Sequence, residues 1–120
     1  MWTVEFYKTP TGDFPVVEFL NSLDRKTELE FARQKIDLLK EYGSELVLLG
    51  RTHAAYLKDG IFELRIPIQH KQFRILYFFF YNEKIILSHG IKKEKKVPPS
   101  EIDQAKRHKD YYFKTHGRQK

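Results

Sequence analysis

The chain has 120 residues, 41% hydrophobic and 32% charged, which is enough to bury one core without a disulfide or a structural metal, so a single domain is expected. The absence of cysteine excludes disulfides, thiolate nucleophiles and zinc–thiolate sites, and suits a reducing compartment, the cytoplasm being the simple expectation. No apolar run approaches a membrane span and the start lacks a secretory pattern, so no membrane role is expected. The net charge of +6 is unevenly placed: residues 1–91 carry 12 Lys/Arg and 12 Asp/Glu, whereas residues 92–120 carry 10 and 4. An anionic partner is expected on the C-terminal side.

Trp2 to Tyr7 alternates Trp2, Val4 and Phe6 with Thr3, Glu5 and Tyr7, the period of a strand with one wet face. Thr11-Gly12-Asp13 is turn chemistry, with Asp13 placed to cap a short amphipathic helix through Val16, Phe19, Leu20 and Leu23. Asp24 is placed to cap a longer helix in which Leu29, Ala32, Ile36 and Leu39 recur at helical spacing, and Gly43 supplies a left-handed stop. These two helices are expected to cover one face of a sheet. Residues 44–60 show no clear period and are expected to be irregular up to the Asp59-Gly60 turn. Ile61–Ile68, Gln72–Tyr81 and Ile85–Ile91 read as a three-strand meander, with Asn82-Glu83-Lys84 turning the second into the third. The second strand is apolar on both faces and belongs at the centre. Pro98-Pro99-Ser100 introduces a last helix, with Ser100 as its cap and Ile102, Ala105 and Tyr112 toward the body, and residues 117–120 are expected to be loose.

Three late stretches each set a cation inside or at the end of an apolar strand: Phe62-Glu63-Leu64-Arg65-Ile66, Phe73-Arg74-Ile75-Leu76-Tyr77 and Gly90-Ile91-Lys92-Lys93. A charge there costs free energy unless a partner or an anionic ligand answers it, so consecutive cationic strands point to a phosphate site. Phe62, Leu64 and Ile66 share one strand face, Glu63 and Arg65 the other. For Arg65, a salt bridge to a cross-strand acid such as Glu5 is an equal alternative. Arg74 either meets a buried acid or points into a cleft, and the cleft is favoured two to one. By itself the run from Lys92 to Lys96 reads as solvated. His89, read on one face with Leu87 and Ile91, is first a hydrogen-bonded structural histidine, and His70 a loop residue. His53, His108 and His116 make no ligand spacing, so no metal is expected.

The order of these elements, with the motifs Gly-Ile-Phe-Glu-Leu-Arg, Phe-Arg-Ile-Leu-Tyr and Gly-Ile-Lys-Lys followed by Glu-Ile-Asp-Gln-Ala, resembles the RelE/ParE toxin superfamily, specifically its HigB-like, phage-derived branch. The resemblance covers most of the chain. It implies an α+β, RelE-like fold, with an N-terminal strand and helical hairpin on a small twisted, mainly antiparallel sheet and a C-terminal helix. It also implies the toxin of a type II toxin–antitoxin pair: a ribosome-dependent, metal-independent mRNA endonuclease with no cofactor. A cognate helix-turn-helix, HigA-like antitoxin would neutralise it, and operator DNA would be met only through that complex. Carried over by motif, the catalytic cations fall on Arg65, Arg74, Lys92 and Lys93, with Lys58, Lys95 and Lys96 as RNA-binding residues. The sequence departs from those RelE-type enzymes that place a reactive tyrosine soon after the last strand, because Val97-Pro98-Pro99 stands there and no tyrosine follows until Tyr111. The base that takes the ribose 2′-hydroxyl proton is left open among Glu63, His70 and His89, or a lysine made less basic by neighbouring cations. Two further readings stay open: ParE-like, non-catalytic inhibition of DNA gyrase, against which the full cation set argues, and a non-toxic RNA- or ribosome-binding protein.

Overall fold

A computed structural model describes residues 1–82, 84–92 and 95–117. Five strands, β1 (Thr3–Phe6), β2 (Ala54–Lys58), β3 (Ile61–Ile68), β4 (Lys71–Phe80) and β5 (Lys84–Ile91), form one sheet in the order β1-β5-β4-β3-β2. The β1–β5 pair is parallel and the others are antiparallel. The helices are α1 (Pro15–Asn21), α2 (Lys26–Tyr42) and α3 (Pro99–His116), and a 3-10 segment spans Gly43–Leu49. This is the expected α+β arrangement, a helical hairpin on a mostly antiparallel sheet with a C-terminal helix. No helix among the described residues is long and apolar enough to cross a membrane.

Strand alternation divides the sheet between two cores. Leu64, Ile66, Phe73, Ile75 and Tyr77 point toward α1 and α2, where they meet Val16, Phe19, Ala32, Ile36 and Leu39. Ile61, Leu76, Phe78, Phe80 and Ile86 point the other way, toward Ala105 and Tyr112 of α3. β4 contributes to both, which is why its sequence is apolar on both faces and why it sits third of five strands. Tyr7 was expected on a wet face, but it is buried because α3 covers that side and its ring stacks on His108 at 4.1 Å.

Several local expectations change. Residues 44–60 are not irregular, since they hold the 3-10 segment and β2. Neither Asp13 nor Asp24 caps a helix: the N-cap positions are Phe14 and Arg25, without side-chain caps. Asp13 instead closes its own turn, its N–H donating to Thr9 Oγ1 at 3.0 Å and its carboxylate accepting from Thr11. α3 starts two positions earlier than a Ser100 cap requires, with Pro98 as N-cap and Pro99 at N1, where its missing N–H costs nothing. Gly43 does end α2 with positive φ (+52°), and a Cβ there would lie 2.0 Å from the Trp2 indole nitrogen.

β5 carries the feature that matters most for the site. Leu76 pairs with His89 and Tyr77 with Leu87, so Ser88 is an extra residue, a β-bulge. Leu87 belongs to the hairpin core, whereas Ser88 and His89 both reach toward α3, and the side-chain parity of the strand is reversed from that point on. His89 therefore does not share a face with Leu87. Ile91 joins the α3 core, and the α carbon of Gly90 faces the Phe19 ring on the hairpin side.

Candidate functional site

α3 packs on β4, β5 and the Ile61 end of β3, and beside it a cleft of about 460 Å³ is lined by Arg51, Glu63, Arg65, Arg74, Lys95 and Lys96, with Leu57 and Val97 as apolar walls. Five cations thus surround one carboxylate among the described residues. Register explains how they meet. Arg65 and Arg74 stand directly opposite each other on β3 and β4, where two cations side by side would repel. Glu63 lies two residues before Arg65 on the same strand face and diagonal to Arg74, and it answers both.

The ion-pair geometry is tight. Arg74 Nε donates to Glu63 Oε1 at 2.6 Å, and Arg65 Nη2 donates to Glu63 Oε2 at 3.1 Å. Arg74 Nη1 also donates to the Gln72 carbonyl (3.3 Å) and Arg65 Nη1 to the Arg51 carbonyl (3.0 Å). Glu63 is 2% exposed and Arg74 6%, while the Arg65 side chain keeps 20% of its surface. The two alternatives for Arg74 therefore hold together: it meets a buried acid and it lines a cleft. Arg65 pairs with Glu63 rather than Glu5, whose carboxylate accepts from Lys84 and Tyr112 instead. Arg65 Nε is buried without a hydrogen-bond partner among the described residues.

The remaining candidates scatter. Lys92 follows the bulge, so its side chain turns to the hairpin side, where Nζ donates to the Ser22 carbonyl at 2.7 Å and lies 5.9 Å from the Phe73 ring centre. It does not line the cleft. Lys93 lies outside the described residues. Lys58 ends β2 exposed and away from the lining, and His70 is exposed in the β3–β4 turn. His89 is buried beneath α3, with Nε2 bonded to Glu101 at 2.9 Å and Nδ1 to Ser88 at 2.8 Å. Burial holds its pKa below the ordinary imidazole value against the opposing pull of Glu101. Ser88 Oγ continues to His108 Nδ1 (2.8 Å), whose pKa falls to about 4, mainly through burial and then through the neighbouring His89 and Arg107 charges. This chain of groups ties β5 to α3, and none of its members is among the residues that line the cleft.

Arg51 is the cleft residue that sequence reading missed. It follows the 3-10 segment in a stretch without period, and it reaches the site because Arg65 is anchored on its carbonyl and the Arg65 N–H donates to the His53 carbonyl at 2.8 Å. Lys35 of α2 supports the same stretch, donating to the Thr52 carbonyl at 3.3 Å and lying 2.9 Å from His53 Nδ1; burial lowers its pKa. No group of three His, Cys, Asp or Glu placed to hold a metal occurs among the described residues.

The arrangement can grip an anion with fixed guanidinium geometry in a partly desolvated corner. No curated protein matches this chain. The family of phage-derived Gp49-like proteins (DUF891) matches residues 18–110, a span that runs from within α1 to within α3 and includes every cleft residue. By that match, which covers well over half of its length, the chain belongs to the phage-derived Gp49-like family, a RelE/toxin-like family.

Proposed function

We propose that this chain is the toxin of a type II toxin–antitoxin pair of the HigB-like kind, acting in the cytoplasm as a ribosome-dependent mRNA endonuclease and neutralised by a cognate helix-turn-helix antitoxin. The observation that carries the reading is the cleft in which Arg65 and Arg74 are both fixed on Glu63, with Arg51, Lys95 and Lys96 around them. In the proposed reaction the ribose 2′-oxygen attacks the adjacent phosphorus, its proton leaves to a base, and the bond from phosphorus to the 5′-oxygen breaks. The phosphorane between these states carries more negative charge than the substrate. Arginines held at fixed angles before the RNA arrives stabilise it without reorganising, and one such donor is typically worth about 100-fold or more. The Arg65 side chain keeps 20% of its surface, through which a phosphate oxygen can approach the guanidinium.

Glu63 already accepts from both guanidiniums, so its part in this scheme is to aim them. Lys95 and Lys96 hold flanking phosphates. Supplying the mRNA on the ribosome accounts for the substrate alignment that an open corner of the sheet cannot impose alone. Primer extension on a defined mRNA tests the reading, with and without programmed ribosomes and with a chelator present throughout. Ribosome-dependent, chelator-resistant cuts at in-frame codons are expected. Intact mRNA in the presence of folded protein would overturn the reading and leave gyrase inhibition or simple RNA binding.

A further inference from the structure

A second cavity, of about 430 Å³, lies between the end of β1, the loop that follows it and the last turns of α3, and it shares no lining residue with the cleft. Its volume is in the range of small-molecule sites, about 300–1,000 Å³. Glu5 and Tyr7, two positions apart, both reach the α3 side, where they meet Tyr112 and His108. Tyr112 Oη donates to Glu5 Oε1 at 2.7 Å, and Lys84 Nζ donates to Oε2 at 3.2 Å. A carboxylate has about two acceptor sites per oxygen, so one on each is left, and the Glu5 side chain is 37% exposed. Desolvation opposes its charge, but these two hydrogen bonds and the nearby cations outweigh it and hold its pKa below the ordinary carboxylate value. The rings of Phe14 (39% exposed) and Tyr111 (38%) line the cavity, and Tyr7 adds a buried phenol whose hydroxyl makes no hydrogen bond among the described residues.

Lys8 is exposed on the same lining, its Nζ 5.9 Å from the Phe14 ring centre. With Lys84 on Glu5, two cations stand against one carboxylate, so an ammonium ligand is disfavoured and an anionic group is attracted. Aromatic walls suit a flat ring. The two free acceptor sites of Glu5 suit adjacent N–H donors on the edge of that ring, and Lys8 suits a phosphate. Guanine has such an edge, a ring N–H beside its amino group. Adenine sets an acceptor nitrogen beside its amino group, which a carboxylate repels. We propose that this cavity is a binding site for a free guanine nucleotide, with the base edge on Glu5, the ring against Tyr111 and Phe14, and the phosphate on Lys8. Seated there, the nucleotide joins β1 and its loop to the end of α3. The inference rests on this cavity and not on the chemistry proposed for the cleft.

Titration of the ¹⁵N-labelled protein with guanosine 5′-monophosphate tests the proposal. It should shift the amides of Glu5, Tyr7, Lys8, Tyr111 and His116, leave those of Arg65 and Arg74 in place, and raise the unfolding temperature. Adenosine 5′-monophosphate and unphosphorylated guanosine should each bind about tenfold more weakly, the effect of losing a hydrogen bond to a charged group. Glu5→Gln offers one acceptor and one donor in place of two acceptors, so the preference should move toward adenosine 5′-monophosphate, a change that loosened packing would not produce. Lys8→Ala, at an exposed position, should bring guanosine 5′-monophosphate down to the affinity of guanosine. Absence of these shifts at millimolar nucleotide, equal binding of the two monophosphates by the parent protein, or shifts confined to the cleft would overturn the proposal. So would tighter binding of a short RNA with one guanosine among pyrimidines, which would assign the cavity to an RNA strand. Neither ribosome nor cleavage enters the assay, so its failure and the failure of the cleavage reading are separable.

Discussion

Replacing Arg74 separates what the cleft does for the fold from what it does for phosphate. Arg74 and Glu63 are both nearly buried and joined at 2.6 Å, so Arg74→Ala leaves a carboxylate with 2% exposure missing its shorter partner. Removing one member of a buried pair costs about 3–5 kcal/mol. Arg65 still holds Glu63 Oε2 at 3.1 Å, which places this variant at the lower end, about 3 kcal/mol. Against a total stability of about 5–15 kcal/mol, that is a severe but survivable loss. With a urea dependence of about 1–3 kcal/mol per molar, the unfolding midpoint should fall by about 1–3 M. Removing both partners together, as Arg74→Met with Glu63→Leu, takes away the charge and its desolvation cost at once, and stability should return to within about 1 kcal/mol of the parent. Urea titrations followed by circular dichroism read all three proteins. A cost below about 1 kcal/mol for Arg74→Ala would refute the reasoning, because it would mean that Arg65 and solvent alone satisfy Glu63. The same numbers make Arg74→Ala a poor test of catalysis, since lost cleavage could be lost fold. Arg74→Lys keeps the charge near Glu63 but loses the planar fork, and in the folded variant cleavage should drop about 100-fold.

The other predictions are independent of that pair. Lys92→Ala should leave ribosome-dependent cleavage within about twofold and cost about 1 kcal/mol, because an exposed hydrogen bond to the Ser22 carbonyl and a contact over the Phe73 ring are removed; a loss of about 100-fold would restore Lys92 to the site. His89 and His108 have folded pKa values lowered chiefly by burial, that of His108 to about 4. The unfolded chain therefore binds protons that the folded chain refuses, so the stability they contribute is present above the ordinary value near 6.5 and lost as pH falls from there toward 4. Urea midpoints measured from pH 7.5 down to 4.5 should show that decline, and His108→Asn should flatten it. Gly90→Ala would set a Cβ 2.1 Å from the Phe19 ring and should cost about 1–3 kcal/mol by thermal or urea unfolding, with Phe19→Leu recovering part of the loss.

Much of the fold is legible because its signals are local. β3 begins and ends where its alternation and the Asp59-Gly60 turn place it, and the double apolar face of β4 reads directly as a central strand. β2 is not legible in the same way. It starts Ala54-Ala55, carries few β-branched or aromatic residues, and becomes a strand because β3 offers it a partner. One missed cap has a visible cause: Asp13 found a closer partner in the hydroxyls of its own turn, which competes with capping. Of the site, Arg65 and Arg74 were legible as charges in apolar strands. Their common anchor on Glu63 was not, because it depends on a diagonal across two strands whose register a sequence leaves unstated.

The placement of Lys92 shows how one residue redirects a site. Counting alternation along β5 from Leu87 without interruption would put Lys92 on the α3 side, in reach of Arg74, whose register partner is Ile91. The bulge at Ser88 reverses that parity and sends Lys92 to the hairpin side. What the strand gains is a place for both Ser88 and His89 against α3, where they bond His108 and Glu101 and fix the helix over β4 and β5. The helix also reaches the Asp59–Ile61 end of β3, and Glu63, Arg65 and Arg74 line the cleft beyond it. Glu63 and Arg74 are already nearly buried, so a second apolar helix face there would chiefly desolvate Arg65 without a new partner, at several kcal/mol. The Arg65 charge therefore weighs against α3 extending over this corner.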